Sequence, residues 1–262
     1  MLLSAPAFSA ALPEPSLILE SQLNYFYFDY RETLPAPFKS NELGWMPGLG
    51  LRVRTNDSAH AGFGDLSLDL AQAATVYDGT RQNGDPVLDE SQHIFVNVEG
   101  RWGQWLTPAD WQVFGTQAFV GAGYRHWDRT VAGDYDEIYS WKYLTLGIQP
   151  KLAIGEALTM GLEISYKQML DGHMRLYLNE STPLEFDLGE RAGYKISAPI
   201  VFQPDAKLSF KLLPWYEYSG IGRSNTLSGL YTLDDVLYSY EMYEPESNTV
   251  QYGVSMAARL VF

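Results

Sequence analysis

The sequence predicts an all-β chain: a single antiparallel, up-and-down transmembrane β-barrel of about ten strands, built from residues 12–262. Three observations predict it. Apolar residues recur at every second position in segment after segment, the period of a strand with one apolar face. The connections between these segments alternate between short and long, as in a meander with tight turns at one end and long loops at the other. The chain has no run of about eighteen apolar residues, so it offers no membrane helix.

The segments follow in order. The first, near 17–30, carries Glu20 on its polar face; the second, near 48–55, carries Arg52 and Arg54; the third, near 61–76, carries Asp65 and Asp69. In the fourth, near 93–105, Ile94, Val96 and Val98 alternate with Phe95, Asn97, Glu99 and Arg101. The fifth, near 112–128, sets Ala118, Val120, Ala122 and Tyr124 against Gln117, Phe119, Gly121, Gly123 and Arg125. The sixth, near 139–153, carries Lys151. An antiparallel register that opposes Val120 to Leu146, Gly121 to Thr145 and Arg125 to Trp141 keeps both faces consistent through that hairpin.

In the seventh, near 158–170, Leu158, Met160, Leu162 and Ile164 alternate with Thr159, Gly161, Glu163, Ser165 and Lys167. The eighth, near 191–202, opposes Tyr194, Ile196 and Phe202 to Lys195 and Ser197. The ninth, near 207–219, opposes Phe210 and Leu212 to Lys211 and Glu217. The tenth, near 249–262, alternates strictly, with Arg259 on the polar face and Phe262 as the last residue. Short connections at 56–59, 106–111, 155–157 and 203–206 carry Pro, Gly, Asp and Asn as turn residues. Long ones fall near 31–47, 77–92, 129–138, 171–190 and 220–248.

The apolar face is assigned to lipid: a lipocalin-like soluble barrel would turn it inward around a ligand and expose Gly-rich strand centres to water, and soluble barrels usually have about eight strands. The interior then holds Arg52, Arg54, Arg101, Arg125, Lys151, Lys167, Lys195, Lys211 and Arg259 against Glu20, Asp65, Asp69, Glu99, Glu163 and Glu217. Mixed charges in a barrel of this size predict ion pairs that largely occlude the lumen. The alternative is a narrow conduit favouring small anions, since rings of Arg and Lys select them. Aromatics make up 14% of the chain, with 18 Tyr, a composition suited to the water–lipid boundary. The absence of Cys excludes disulfides and thiolate chemistry, and a net charge of −14 excludes nucleic acid as a partner.

The closing strand that ends on Phe262 resembles the last strand of bacterial outer-membrane β-barrels, where this signature is read by the assembly machinery. The resemblance implies an outer-membrane location, periplasmic short turns and extracellular long loops. Its implied partners are outer-membrane lipid and lipopolysaccharide, with the barrel assembly machinery engaged through the C-terminal strand. Residues 1–11 are small and apolar, with Ala7-Phe8-Ser9 or Ser9-Ala10-Ala11 as a cleavage site, and resemble the tail of a secretory signal, without its basic start.

Ten strands with long outer loops are similar in size to the omptin proteases, which use paired Asp and an Asp–His couple. His126-Trp127-Asp128 is the nearest arrangement, but its order departs from that family and no paired-Asp strand matches. Barrel enzymes acting on lipid place Ser two residues after His; Asp128 stands there, and the hairpin register brings Ser140 opposite His126 on the outward face. A base beside a hydroxyl is the minimum for nucleophilic catalysis, so His126, Asp128 and Ser140 are the candidates if the chain is a hydrolase. The residue pattern favours a chain that is not an enzyme.

Surplus acid is expected in the outer loops, at Asp85, Asp89 and Glu90, at Asp128, Asp134, Asp136 and Glu137, and at Glu180, Glu185, Asp187 and Glu190. The fifth loop adds Asp234, Asp235, Glu241, Glu244 and Glu246 among Tyr231, Tyr238, Tyr240 and Tyr243. Carboxylates beside tyrosines suit an extracellular or envelope protein partner, and their oxygens suit Ca2+. His60, His93 and His173 have no metal-ligand spacing, and no cofactor is expected. The function read from the sequence is a surface scaffold or binding protein, working through acidic, Tyr-rich outer loops.

Overall fold

The structure, a computed structural model, describes residues 16–57, 62–81, 83–107, 113–131, 135–177, 183–233 and 236–262. Six long strands meander through the first half: β1 (Ser16–Glu32), β2 (Ser40–Asp57), β3 (Gly62–Thr80), β4 (Pro86–Trp105), β5 (Phe114–Val131) and β6 (Tyr135–Ala153). The seventh stave is split into β7 (Leu158–Gly161) and β8 (Glu163–Tyr177), with β9 (Leu184–Leu188) added beside its upper end. The eighth is β10 (Ala192–Ser197) with β11 (Ile200–Phe202), interrupted at Pro199, whose missing N–H cannot join a ladder. The ninth is β12 (Leu208–Ile221). A separate hairpin, β13 (Leu227–Leu233) and β14 (Val236–Met242), rises from the last long connection before β15 (Ser247–Val261).

Strand β15 pairs antiparallel with both β1 and β12, so ten staves close into a ring. Closure satisfies the ladder hydrogen bonds within the sheet, the condition for crossing hydrocarbon with strands. Phe262 completes the seam, its backbone N–H donating to the Leu17 carbonyl at 2.9 Å. The β5–β6 register is the one the sequence predicts: Val120 faces Leu146, Gly121 faces Thr145 and Arg125 faces Trp141.

The outer surface carries the membrane-spanning belt. Leu23 and Leu49 are each 58% exposed and Leu146 57%, an apolar band that a soluble chain would not show to water. Tyr25 stacks on Trp45 at 5.0 Å between centroids, and Tyr194 packs with Tyr216 and Tyr218, marking the upper boundary of the band.

Above that boundary the two faces exchange character. On β1, inward Glu20, Gln22 and Asn24 give way to inward Phe26, Phe28 and Tyr30, while outward Leu23 and Tyr25 give way to Asp29 and Arg31. On β5, inward Arg125 is followed by Trp127, and outward Tyr124 by His126 and Asp128. The cause is the change of solvent. Within lipid the apolar face turns outward, but past the headgroups water surrounds the barrel and the apolar face turns in. On β8 a bulge at Asp171, with φ at 50°, shifts the register between Ser140 and Lys142 and turns Met174 and Leu176 inward.

Candidate functional site

Two layers fill the interior. The layer at belt height is ionic. Arg101 reaches Asp65 with two hydrogen bonds, at 2.9 and 3.1 Å, and Glu163 with a third at 2.9 Å. Arg125 donates to Glu217 at 2.7 Å, and Lys167 and Lys195 flank the same carboxylate at 3.4 and 3.6 Å. Lys211 and Arg259 share Glu20. Tyr143 donates to Glu99 at 2.8 Å, and Asp69 accepts from Gln22 at 3.1 Å. Arg52, Arg54 and Lys151 line the same space near its periplasmic end. The interior charges singled out in the sequence therefore all lie on the inner wall, most of them in one another's reach. Glycines make room for the large members: a Cβ on Gly147 would stand 2.5 Å from the Phe119 ring, and one on Gly123 2.2 Å from the Tyr143 ring.

Above the ionic layer lies an aromatic one. Phe28, Tyr30, Met46, Trp127 and Tyr139 are essentially inaccessible, and Trp127 stacks on Tyr139 at 4.7 Å and on Phe95 at 5.2 Å. Within it His93 is held on both ring nitrogens. Trp127 Nε1 donates to Nδ1 at 3.0 Å, so the proton resides on Nε2, which faces Thr75 Oγ1 at 2.7 Å and Glu42 Oε2 at 2.8 Å.

Four carboxylates converge at the top of this layer around a single guanidinium. Arg129 donates to Glu42 at 2.7 and 2.9 Å, to Glu137 at 2.6 Å and to Glu32 at 3.3 Å. Glu244 comes down from the last connection. Tyr139 Oη lies 2.7 Å from its Oε1 and 2.8 Å from Glu137 Oε2, and Tyr30 Oη lies 3.4 Å from the same Oε1. One hydroxyl holds one proton, so the second close oxygen at Tyr139 calls for a protonated carboxyl. Burial, with the charges of Glu137 and Glu32, pushes Glu244 well above the usual carboxylate range. Burial also raises Glu32, against the pull of Arg129. Glu42 goes the other way: burial would raise it, but Arg129 and His93 outweigh that and hold it at about 2.

This cluster is the floor of a cup of about 580 Å³ at the outer mouth. Its walls include Leu34, Phe38, Met174, Phe186, Met242 and Tyr243, and Glu32, Glu137 and Glu244 lie at its base with Lys39 at the edge. The last connection is pinned over the rim. Glu244 N–H donates to Ser224 Oγ at 2.8 Å, Ser224 N–H to the Glu244 carbonyl at 3.0 Å, and Thr33 N–H to the Glu246 carbonyl at 2.6 Å.

The other sequence candidates lie elsewhere. His126 Nε2 is 2.7 Å from Asp128 Oδ1, and Ser140 is the strand partner of His126, but all three sit on the outer wall and line neither the cup nor the lumen cavities. Of the fifth-loop residues, Tyr240 and Glu241 sit on β14 beside a separate shallow surface, while Tyr243 and Glu244 join the cup. The Tyr231 and Tyr238 side chains and residues Asp134, Glu180, Asp234 and Asp235 lie outside the described residues, as do His60 and residues 1–11. His173 is exposed between Asp171 and Asp187, at 3.0 Å from each. Among the described residues no group of three or more His, Asp or Glu has the geometry of a metal site. Arg129, Glu32 and Glu42 do not stand out as site residues in the sequence, which assigns their positions to loops, and Glu137 stands out there only as one of an acidic loop cluster with Asp128 and Asp136. Their signal is the period of two continuing through Phe28-Tyr30-Glu32 and Glu137-Tyr139-Trp141 with the apolar face reversed.

No family model matches the chain, and no curated protein matches it. Among solved structures, the outer-membrane protease OmpT of Escherichia coli is similar at a TM-score of 0.61 and 8% identity, over 95% of this chain and 97% of that one. The translocator domain of the autotransporter NalP from Neisseria meningitidis aligns at a TM-score of 0.42 and 8% identity, over 94% and 89%. The likeness to OmpT is one of fold. With the closed ring and the exposed belt, it makes this chain an outer-membrane β-barrel.

Proposed function

We propose that this barrel is sealed across its lumen and acts as a binding protein at the outer face, taking a cationic group flanked by apolar ones into the mouth cup. The observation that carries this reading is the cup itself: about 580 Å³, within the usual range for a ligand pocket, with apolar walls and three carboxylates at its base. The four converging carboxylates meet one Arg, so a second cation would replace the proton that neutralises Glu244. The ligand fits a peptide segment of an extracellular or envelope protein, with Arg or Lys between apolar side chains. Contact of the belt with lipid and lipopolysaccharide belongs to the same reading, as does recognition of the terminal strand by the assembly machinery.

Calorimetric titration of the refolded protein with an amidated Phe-Arg-Leu peptide, and with its Phe-Gln-Leu counterpart, tests the proposal. Saturable binding is expected for the first only, about tenfold weaker in Glu32→Gln, the loss of one charge-assisted contact. Equal binding of both peptides, or none of the first, would remove the cup as the site.

A further inference from the structure

We infer, resting on the reading of the cup as the binding site, that the cup takes its cation in exchange for one proton. A guanidinium that enters displaces the carboxyl hydrogen of Glu244, so capture strengthens as pH rises and acid expels the ligand.

Three of the four carboxylates at the floor already have a cation. Glu32, Glu42 and Glu137 reach Arg129 at 3.3, 2.7 and 2.6 Å. The other cations around the mouth are engaged elsewhere: Lys39 pairs with Asp78, Arg191 with Glu246, and Arg223 lies over the Tyr243 ring at 3.9 Å. What the Glu244 carboxyl meets is hydroxyl, Tyr139 Oη at 2.7 Å and Tyr30 Oη at 3.4 Å.

Those hydroxyls are themselves shared. Tyr139 Oη lies 2.8 Å from Glu137 Oε2, and Tyr30 Oη lies 3.2 Å from Glu32 Oε1. A phenol has one hydrogen, so the second short contact at Tyr139 is a hydrogen bond only when a carboxyl supplies another. Glu137 is held by Arg129, which leaves Glu244 as the acid that carries it.

The charges that face this proton are Glu32 of β1, Glu42 of β2, Arg129 of β5 and Glu137 of β6, three anions against one cation, with His93 of β4 behind Glu42. The phenols of Tyr30, Tyr77, Tyr135 and Tyr139 stay neutral near neutral pH, since burial and then the neighbouring carboxylates raise all four. From β8 and β9 come Met174, Leu176 and Phe186, which carry no charge. An arginine side chain brings the positive charge and the planar set of donors that Glu244 lacks. Proton and ligand then compete for one carboxylate. Below the folded pKa of Glu244, which lies well above the usual range, the proton must pass to solvent before the ion pair forms; above it, affinity levels off.

The test is calorimetric titration of the refolded full chain, at about pH 6, with acetylated and amidated Phe-Arg-Leu, whose guanidinium is its only ionisable group. Two buffers of different ionisation enthalpy are used, and the difference in heat gives the protons released. Close to one proton per peptide is expected from wild-type protein and none from Glu244→Gln. Affinity is expected to rise by up to about tenfold per pH unit between about pH 5 and 7 in wild-type protein, and to stay level in the variant. Binding without proton release, or equal release in Glu244→Gln, would overturn the exchange while leaving the cup as the site. No binding of the peptide by folded wild-type protein would remove the cup as the site, and the exchange with it.

Discussion

Replacing Arg129 with methionine is expected to lower the unfolding free energy of the barrel by about 3–5 kcal/mol, the range for removing one partner of a buried ionic cluster. Its guanidinium is buried and is the cation that Glu32, Glu42 and Glu137 share. It also lies over the Tyr30 ring at 4.7 Å, so the substitution removes a cation–π contact as well. Urea unfolding in lipid vesicles reads the difference. Arg31→Met is the comparison: its side chain is 64% exposed and paired with Asp29, and its loss is expected to change stability by less than about 1 kcal/mol. The Arg129→Met defect is expected to shrink in acid, where the stranded carboxylates take up protons.

The second large effect is a pH dependence centred on Glu244. A carboxyl whose folded pKa lies above its unfolded value binds its proton more tightly in the folded chain. Its contribution is therefore complete below the unfolded value of 4.5 and is lost as pH rises through the folded one. Glu42 has the opposite sign: depressed to about 2, it contributes fully above 4.5 and loses that contribution as pH falls toward 2. The last connection should accordingly loosen with alkali while the aromatic layer beneath holds. Hydrogen exchange at the Ser224 and Glu244 amides, which bond each residue to the other, is expected to gain up to about tenfold per pH unit beyond the intrinsic rate through that window. Glu244→Gln, a permanent stand-in for the protonated acid, should flatten the response. An unchanged profile in that variant would show that the pH response does not originate at Glu244.

How much of this was legible follows from where lipid stops. Within the belt the sequence sorts residues cleanly, because lipid tolerates only apolar side chains outside, and Glu20, Arg101, Lys167 and Arg259 stand on the inner wall as their alternation predicts. Above the belt the same alternation persists with the faces exchanged, so a reading tuned to an apolar outer face sees Glu32, Glu42, Arg129 and Glu137 as loop residues. The connections read as long are largely strand that continues past the membrane, as at Ser40–Trp45 of β2 and Tyr135–Tyr139 of β6. The bulge at Asp171 was not legible either, since a single positive φ leaves no periodic trace. The register that opposes His126 to Ser140 on the outward face holds, and that wall lines none of the cavities described above.

We propose that the ionic and aromatic layers together close the lumen to ions, so that binding takes place at the outer mouth and not by passage through the barrel. Single-channel recording of the refolded barrel in a planar bilayer, with Arg125→Glu alongside, decides between the two. The structure predicts no steady conductance from wild-type protein, because Trp127, Tyr139, Phe28 and Met46 close the path above the Arg125–Glu217 pair. Steady wild-type openings whose ion selectivity shifts with the charge at position 125 would contradict it and make the lumen a working conduit.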